Sequence, residues 1–166
     1  VLDRADPYWV EGLLPDSRCD DLAQVRAAIG SPTAVGSRTL GPAGFWPLLA
    51  AGCADVLMPS LALCGGPTGV LKLAELAGLR GVRVSLAAGQ TLVSAMAAAH
   101  ISFSRPHIAP LRVSAAVFRA LREALPDALQ EGFLMLPDGP GLCLGDLQVA
   151  ESVAQAYLAQ PDEDGA

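Results

Sequence analysis

Short runs of apolar residues alternate along the chain with longer stretches in which apolar residues recur at helical spacing. The short runs predict β-strands at 8–12, 33–36, 55–58, 82–86 and 111–113. The longer stretches predict helices at 45–51, 68–79, 91–100 and 115–125, and an earlier helix that runs to Ile29 and is stopped by Gly30. Candidate N-caps of that first helix are Asp16, Ser17, Asp20 and Asp21.

The predicted units repeat as strand, loop and helix. The strands end near Glu11, Ser37, Ser60, Ala87 and Arg112, roughly 25 residues apart, which is the length of one βα unit. Such units predict a parallel sheet with right-handed crossovers. Five of them fit either part of a (β/α)8 barrel or a doubly wound open sheet, and the pattern alone does not separate the two.

The glycine-rich segment 65–69 raises the question of a phosphate-binding loop. It lacks the G-x-G-x-x-G spacing, and Pro67 removes a backbone donor that a phosphate would need. A dinucleotide site is therefore not expected.

Composition narrows the class of protein. The chain has 166 residues, of which 52% are hydrophobic and 17% charged, so it is long enough and apolar enough for one sizeable core. Its net charge of −6 and scattered basic residues argue against nucleic acid and anionic membranes as partners. With no membrane-spanning run or signal-like start, we expect a soluble cytoplasmic protein. The cysteines have the spacing of neither a zinc knuckle nor a disulfide framework and are expected to be buried thiols: Cys19, Cys53, Cys64 and Cys143.

Five short motifs occur in an order that carries a family resemblance. They are Trp9-Val10-Glu11 with Leu14-Pro15, Gly36-Ser37, Asp55-Val56-Leu57-Met58-Pro59-Ser60, Cys64-Gly65-Gly66-Pro67-Thr68-Gly69 and Leu136-Pro137-Asp138-Gly139-Pro140-Gly141-Leu142. Over roughly 8–146 the chain resembles the mandelate racemase-like branch of the enolase superfamily. The resemblance implies a capping domain followed by a (β/α)7β barrel, of which this chain corresponds to strands 4–8.

The resemblance also implies a division of the chain. Residues 1–146 are expected to form the C-terminal part of the barrel domain, 147–160 a closing helix and 161–166 a disordered acidic tail.

The chemistry that the resemblance implies is removal of a proton next to a carboxylate, with Mg²⁺ stabilising the product. In that alignment Glu11 is the fourth-strand metal ligand, and Ser37 stands at the next ligand position. The positions of an Asp-His dyad are occupied by Ser60 and Ala87. The glutamate of the last strand corresponds to Arg112 or to His107, depending on how the loop is aligned.

These substitutions predict a degenerate barrel segment, a pseudoenzyme that neither binds Mg²⁺ nor abstracts protons. The alternative is part of an active Mg²⁺-dependent sugar-acid dehydratase or racemase, whose missing N-terminal half supplies further site residues or whose site is rearranged around Glu11, Arg112 and His107. A small sugar acid is the partner if the protein is active. A homo-oligomer is also expected, because unpaired strand edges must be covered.

Several single residues also have a simpler structural interpretation. Glu11 is equally well explained as a carboxylate that is solvated or paired with Arg38. His107 is a candidate for the mouth of a site, and His100 for the end of a helix. A packed thiol is favoured for Cys64 over a reactive one. An apolar core is the simplest role for Phe45, Trp46, Leu48 and Leu49.

Overall fold

A computed structural model describes residues 2–144 except 90, 109–110 and 132. Its strands are β1 (Val10–Glu11), β2 (Thr33–Val35), β3 (Val56–Leu57), β4 (Arg83–Val84), β5 (Leu129–Gln130) and β6 (Phe133–Leu134). Its helices are α1 (Cys19–Ala28), α2 (Gly41–Gly44), α3 (Trp46–Ala51), α4 (Gly66–Gly78), α5 (Leu92–Ser104) and α6 (Ala115–Ala124). Short 3₁₀ turns lie at Leu2–Ala5 and Pro126–Ala128.

The main sheet is parallel and has the order β1-β2-β3-β4. Its register aligns Glu11 with Ala34, Ala34 with Val56 and Val56 with Arg83. Parallel bridges from Val84 to Ile108 and from Ala87 to Arg112 extend the sheet beyond β4. We call the two bridged residues, Ile108 and Arg112, the fifth-strand position. The predicted α/β class, with a parallel sheet and intervening helices, is confirmed.

The largest core lies between the sheet and its helices. Val35, Leu57 and Val84 contribute the sheet side, and all three are buried. From α4 come the four residues that share its predicted apolar face, Val70, Leu73, Ala74 and Ala77, each at most 1% exposed. Full burial of one such aliphatic side chain contributes about 1.5–3 kcal/mol, so this interface fixes the helices against the sheet.

The opposite, concave face of the sheet has its own small cluster. Ala34, Val56 and Met58 are buried there, and Trp9 packs against them. Since aligned residues of neighbouring parallel strands point to the same face, Glu11 shares this face with Ala34. Ser60 and Arg112, which both pair with Ala87, share a face as well.

Two helix boundaries differ from those predicted. Arg18 occupies the N-cap of α1 and makes no side-chain capping bond, so none of the four proposed caps serves there. The fifth helix continues to Ser104, which places His100 inside it and not at its end. Pro106 explains the later stop, because the residue before a proline avoids the helical conformation and Arg105 is extended.

The helix predicted at 45–51 is found as α3, Trp46–Ala51, with Phe45 at its N-cap, and the short helix α2 precedes it. Phe45, Leu48 and Leu49 are buried as expected, but Trp46 is 49% exposed, so its assignment to the core is wrong. Its ring lies beneath the Arg80 guanidinium, 5.5 Å from the ring centroid. This cation–π contact stabilises an aromatic ring at the surface.

The hairpin of β5 and β6 was not predicted from the sequence; it pairs Leu129 with Leu134 and Gln130 with Phe133. The expected closing helix at 147–160 and the acidic tail at 161–166 lie outside the described residues. Within the described part of the chain, no helix combines the length and the apolar character required to cross a membrane.

Candidate functional site

An ion pair crosses the concave face where the strands end. Arg112 Nη1 donates a hydrogen bond to Glu11 Oε1, joining residues 101 positions apart. The Arg112 side chain is 44% exposed and that of Glu11 40%, so both groups remain accessible to water. Of the two interpretations of Glu11, pairing is therefore the one observed, but the partner is Arg112 and not Arg38.

The ion pair lies at the edge of a cleft of about 880 Å³. The loops that follow β1 and β2 form most of its wall and contribute Ser37, Arg38 and Thr39, while Met58 contributes an apolar surface. A cleft of this size is within the range that holds small-molecule ligands. Two guanidinium groups, those of Arg38 and Arg112, line it.

Asp16 holds the loop that carries Ser37 and Arg38. Its Oδ1 accepts a hydrogen bond from the Gly36 N–H at 3.1 Å, and its Oδ2 accepts one from Thr39 Oγ1 at 2.9 Å. Its carboxylate is thus engaged with the next loop, which explains why it does not cap α1. Sequence reasoning missed this role, because the partners lie 20 and 23 residues away in the chain.

Gly36 is required at the turn for two reasons. Its φ of +100° belongs to a region that side chains disfavour, and a Cβ there would lie 2.4 Å from Phe45 Cε1. Phe45 in turn is fully buried in the main core. The position of Ser37 is therefore coupled to core packing.

Ser60 and Ala87 lie next to each other at the ends of the third and fourth strands, joined by a parallel bridge. The loop after Ser60 turns on two glycines with positive φ, Gly65 at +81° and Gly66 at +69°. The backbone also passes so close to Gly69 that a Cβ there would lie 1.8 Å from the Cys64 carbonyl oxygen. This loop is thus a sterically determined strand-to-helix turn.

His107 does not lie at the mouth with Arg112. Its neighbour Ile108 pairs with Val84 inside β4, whereas Arg112 pairs with Ala87, which lies beyond β4 beside Ser60. The imidazole of His107 instead packs beside Gly78, the last residue of α4. The interpretation of His107 as a residue of the site mouth is therefore wrong.

The carboxylates of the described residues do not by themselves make up a Mg²⁺ site. In the described ranges, 2–144 with their gaps, no group of three or more His, Cys, Asp or Glu residues is placed to hold a metal ion. Mg²⁺ requires hard oxygen ligands in near-octahedral geometry. Two carboxylates line the cleft, and both are engaged: Glu11 is paired with Arg112, and Asp16 accepts hydrogen bonds from the Gly36 N–H and the Thr39 hydroxyl.

The four cysteines are free but differ in burial. Cys53 and Cys64 are buried as expected, whereas Cys19 and Cys143 are only partly buried, so the expectation of burial is wrong for these two. Burial raises the pKa of Cys53 to about 11 and raises that of Cys64 as well. Because the thiolate is the reactive form, neither residue is suited to nucleophilic chemistry near neutral pH. The prediction of a packed thiol at Cys64 is confirmed.

A second ion pair lies at the opposite end of the sheet. Asp55 precedes β3 and binds Arg26 through Nη2 at 2.7 Å and Nε at 3.1 Å. Its other oxygen accepts the Thr33 N–H at 2.9 Å. Burial alone would raise the pKa of Asp55, but these hydrogen bonds outweigh it and leave the pKa below its usual value. Because Arg26 also donates to the Gly52 carbonyl, the cluster joins α1 to the starts of two strands.

Comparison with known proteins accounts for this architecture. Residues 1–145 match the family model described as enolase C-terminal domain-like. D-galactarolactone cycloisomerase of Agrobacterium fabrum is 35% identical in an alignment of 152 positions, which covers 81% of this chain and 38% of that protein. The chain thus spans well under half the length of this curated relative.

Solved structures agree with the family match. A mandelate racemase/muconate lactonizing enzyme-like protein from a Roseovarius species superposes with a TM-score of 0.79 at 26% identity, covering 93% of this chain and 38% of that one. An enolase from the alpha proteobacterium bal199, crystallised with bound magnesium, gives a TM-score of 0.75 at 28% identity, covering 91% of this chain and 40% of that one. The chain therefore belongs to the enolase superfamily, in its mandelate racemase-like branch, and corresponds to the C-terminal barrel domain of that family.

Proposed function

We propose that this chain is a degenerate barrel segment related to acid-sugar dehydratases and cycloisomerases, which keeps the fold but lacks metal-dependent proton abstraction. The observation that carries the proposal is the ion pair of Glu11 with Arg112. The resemblance implies that the Glu11 carboxylate is a metal ligand. Here the Arg112 guanidinium, a cation of the protein itself, balances its charge.

The neutral residues at the other strand ends support the proposal. A unit charge about 4 Å from its partner contributes about 4 kcal/mol at an effective dielectric constant of 20. Because Ser37 replaces a carboxylate, the electrostatic attraction between that carboxylate and a bound cation is lost. The loss is of this order for a single charge and larger for a divalent ion. We therefore expect any affinity for Mg²⁺ to be orders of magnitude below that of a complete site.

Proton transfer lacks its groups as well. Ser60 and Ala87, the adjacent dyad positions, carry neither a carboxylate nor an imidazole. His107 packs at the far end of α4, and His100 lies within α5. A positioned general base typically accelerates a reaction by about 10²–10⁴-fold, and that acceleration is not available from these residues.

Two measurements test the proposal directly. We expect titration with Mg²⁺ in a calorimeter to give no saturable heat, and we expect sugar acids incubated with the protein in D₂O to keep their α-protons, followed by NMR. Tight Mg²⁺ binding together with deuterium incorporation would overturn the proposal.

The second candidate function is a working Mg²⁺-dependent sugar-acid dehydratase or racemase, of which this chain is one part. It is favoured by the coverage, since the chain matches 38% of the length of its curated relative. Under this alternative, strands contributed by further sequence supply the missing ligands. An upstream sequence with a Lys-x-Lys strand and an Asp-x-Asn strand, combined with turnover by the longer protein, would establish it.

A further inference from the structure

We propose that residues 147–160, which lie beyond the described part of the chain, form the closing helix expected from their sequence and dock on α6 of the same chain. The docking surface consists of Phe118, Arg119 and Arg122, which we call the α6 face. None of these three residues lines the cleft, so the inference does not depend on the proposed function. It adds an interaction surface and names the segment that occupies it.

The α6 face combines an aromatic ring with two cations. Helical spacing of three or four residues places Arg122 beside both Phe118 and Arg119. Phe118 is 44% exposed, and both arginines are exposed as well. Among the described residues neither guanidinium forms an ion pair with a carboxylate. The face therefore offers an apolar contact and two positive charges that lack a carboxylate partner in this part of the chain.

The described chain ends next to this helix. Leu142 and Leu144 pack against a core cluster that includes Val117 and Leu121, the two buried residues of α6. Gly145 and Asp146 then connect Leu144 to the proposed helix. A helix over 147–158 is about 18 Å long, against about 15 Å for the ten residues of α6. The segment therefore starts beside α6 and has the length to cover it.

The sequence of the segment requires an apolar surface to pack against. Val149, Val153 and Tyr157 recur at intervals of four residues, which places them on one side of a helix. The same side is widened by four further apolar residues: Leu147, Ala150, Ala154 and Leu158. The other side is polar and carries Gln148, Glu151, Ser152 and Gln155.

Charge selects the α6 face over the other apolar surface at this helix. Residues 145–166 contain five acidic residues and no basic ones: Asp146, Glu151, Asp162, Glu163 and Asp164. At the C-terminal end of α6 a groove of about 480 Å³ is lined by Leu125 and Met135, but also by Asp127 and Asp138. Like charges disfavour that groove for an acidic segment, whereas the arginines of the α6 face attract it.

Hydrogen exchange of the backbone amides of 147–158, followed by mass spectrometry on the full chain, measures the docking. We expect these amides to exchange at least about tenfold more slowly than in an unstructured peptide, at every protein concentration. Phe118→Ala should speed their exchange roughly three- to tenfold, because it removes part of the apolar contact. The matched control is Leu79→Ala, which removes an exposed apolar side chain after α4 and should leave the exchange unchanged.

The charges are tested on the same amides. Arg119→Gln combined with Arg122→Gln should speed the exchange roughly two- to tenfold, because exposed ion pairs are individually weak. Sodium chloride at about 0.5 M should speed it in the unmodified chain and have little effect in the double variant. Glu123→Gln removes an acidic charge from the same helix and should not speed the exchange.

Nuclear Overhauser contacts between the Phe118 ring and the methyl groups of Val149 or Val153 give a second measurement, which needs no variant to fold. Exchange of 147–158 at the rate of an unstructured peptide would overturn the inference, as would equal effects of Phe118→Ala and Leu79→Ala. Acceleration by Glu123→Gln as large as that by the arginine variant would exclude the proposed role of charge. Slower exchange at higher protein concentration would also overturn the inference, because it would identify a second copy as the occupant of the α6 face.

Discussion

The electrostatic character of the cleft depends on a few individual residues. Glu11 is partnered by Arg112, and Asp16 is bound to the Gly36 N–H and the Thr39 hydroxyl. Each carboxylate thus has a specific partner among groups distant in sequence. At the same strand ends Ser60 and Ala87 add no charge. The cleft is lined by two acids, Glu11 and Asp16, and by two arginines, and the described residues contain no group of three or more side chains that could hold a metal ion.

The first prediction concerns Gly36. Gly36→Ala should lower the free energy of unfolding by about 2–4 kcal/mol, because the new Cβ both requires a disfavoured φ and overlaps the buried ring of Phe45. Urea unfolding followed by circular dichroism measures the change.

Gly41→Ala is the matched control for that experiment. Gly41 also has a positive φ, +62°, but a Cβ there would meet nothing within 4 Å. It should therefore cost only about 1 kcal/mol, from the backbone alone. Equal effects of the two substitutions would show that the Phe45 contact does not determine the turn.

At the scale of elements, local signals predicted the helices better than the ends of the strands. The apolar face of α4 follows directly from the spacing of Val70, Leu73, Ala74 and Ala77. The strands are only two or three residues long, because ladder pairing is interrupted where the backbone turns into the loops. The N-cap of α1 differs from the prediction, because the Asp16 carboxylate, a good cap in isolation, accepts its hydrogen bonds from the loop after β2 instead.

The second prediction concerns the ion pair that joins α1 to β2 and β3. Asp55→Asn should lower the free energy of unfolding by about 1–3 kcal/mol at neutral pH, because it weakens charge-assisted hydrogen bonds from Arg26 and Thr33. The exposed ion pair of Arg18 with Asp21 provides the control. Asp21→Asn should change stability by less than about 1 kcal/mol.

Asp55 also makes the free energy of unfolding depend on pH, and the direction of that dependence can be predicted. The native pKa of Asp55 lies below its unfolded value of about 3.9, so its contribution is complete above that pH. It is lost as the pH falls through the lower native pKa. The stability difference between the unmodified chain and Asp55→Asn should therefore shrink on acidification below about pH 4, measured as urea midpoints. A difference that grows on acidification would contradict the depressed pKa.

For the whole molecule, the important feature is the pair of sheet edges. Within the described residues β1 pairs only with β2, and the fifth-strand position pairs only with the strand before it. Unpaired edges readily associate with further strands. In the relatives the matched region is about two-fifths of a longer chain.

The third prediction is that this chain, when isolated, self-associates. Light scattering during size-exclusion chromatography should give a mass above that of one chain, and the mass should rise with concentration because edge pairing is an association equilibrium. A monomer at all concentrations would indicate that the ion pair of Glu11 with Arg112 and the packing of Trp9 suffice to close the concave face.

The sequence by itself determined the succession of strand and helix, the buried face of α4 and the absence of acids at most strand ends. These properties are local. The periodicity of apolar residues indicates which face of an element is buried, and the residue type at a strand end is read directly from the sequence without knowledge of its neighbours in space. The motif order also sufficed to indicate the superfamily, which the family match confirmed.

Only the tertiary structure decided which charges meet. No feature of the sequence near Glu11 indicates that Arg112 is its partner. The pairing of Arg112 with Ala87 shows that Arg112, and not His107, lies at the mouth. The partners of Asp16 and the exposure of Trp46 were likewise set by neighbouring elements. Such contacts depend on how the strands curve and how the loops pack, and the alternation of apolar and polar residues along one chain segment contains no information about either.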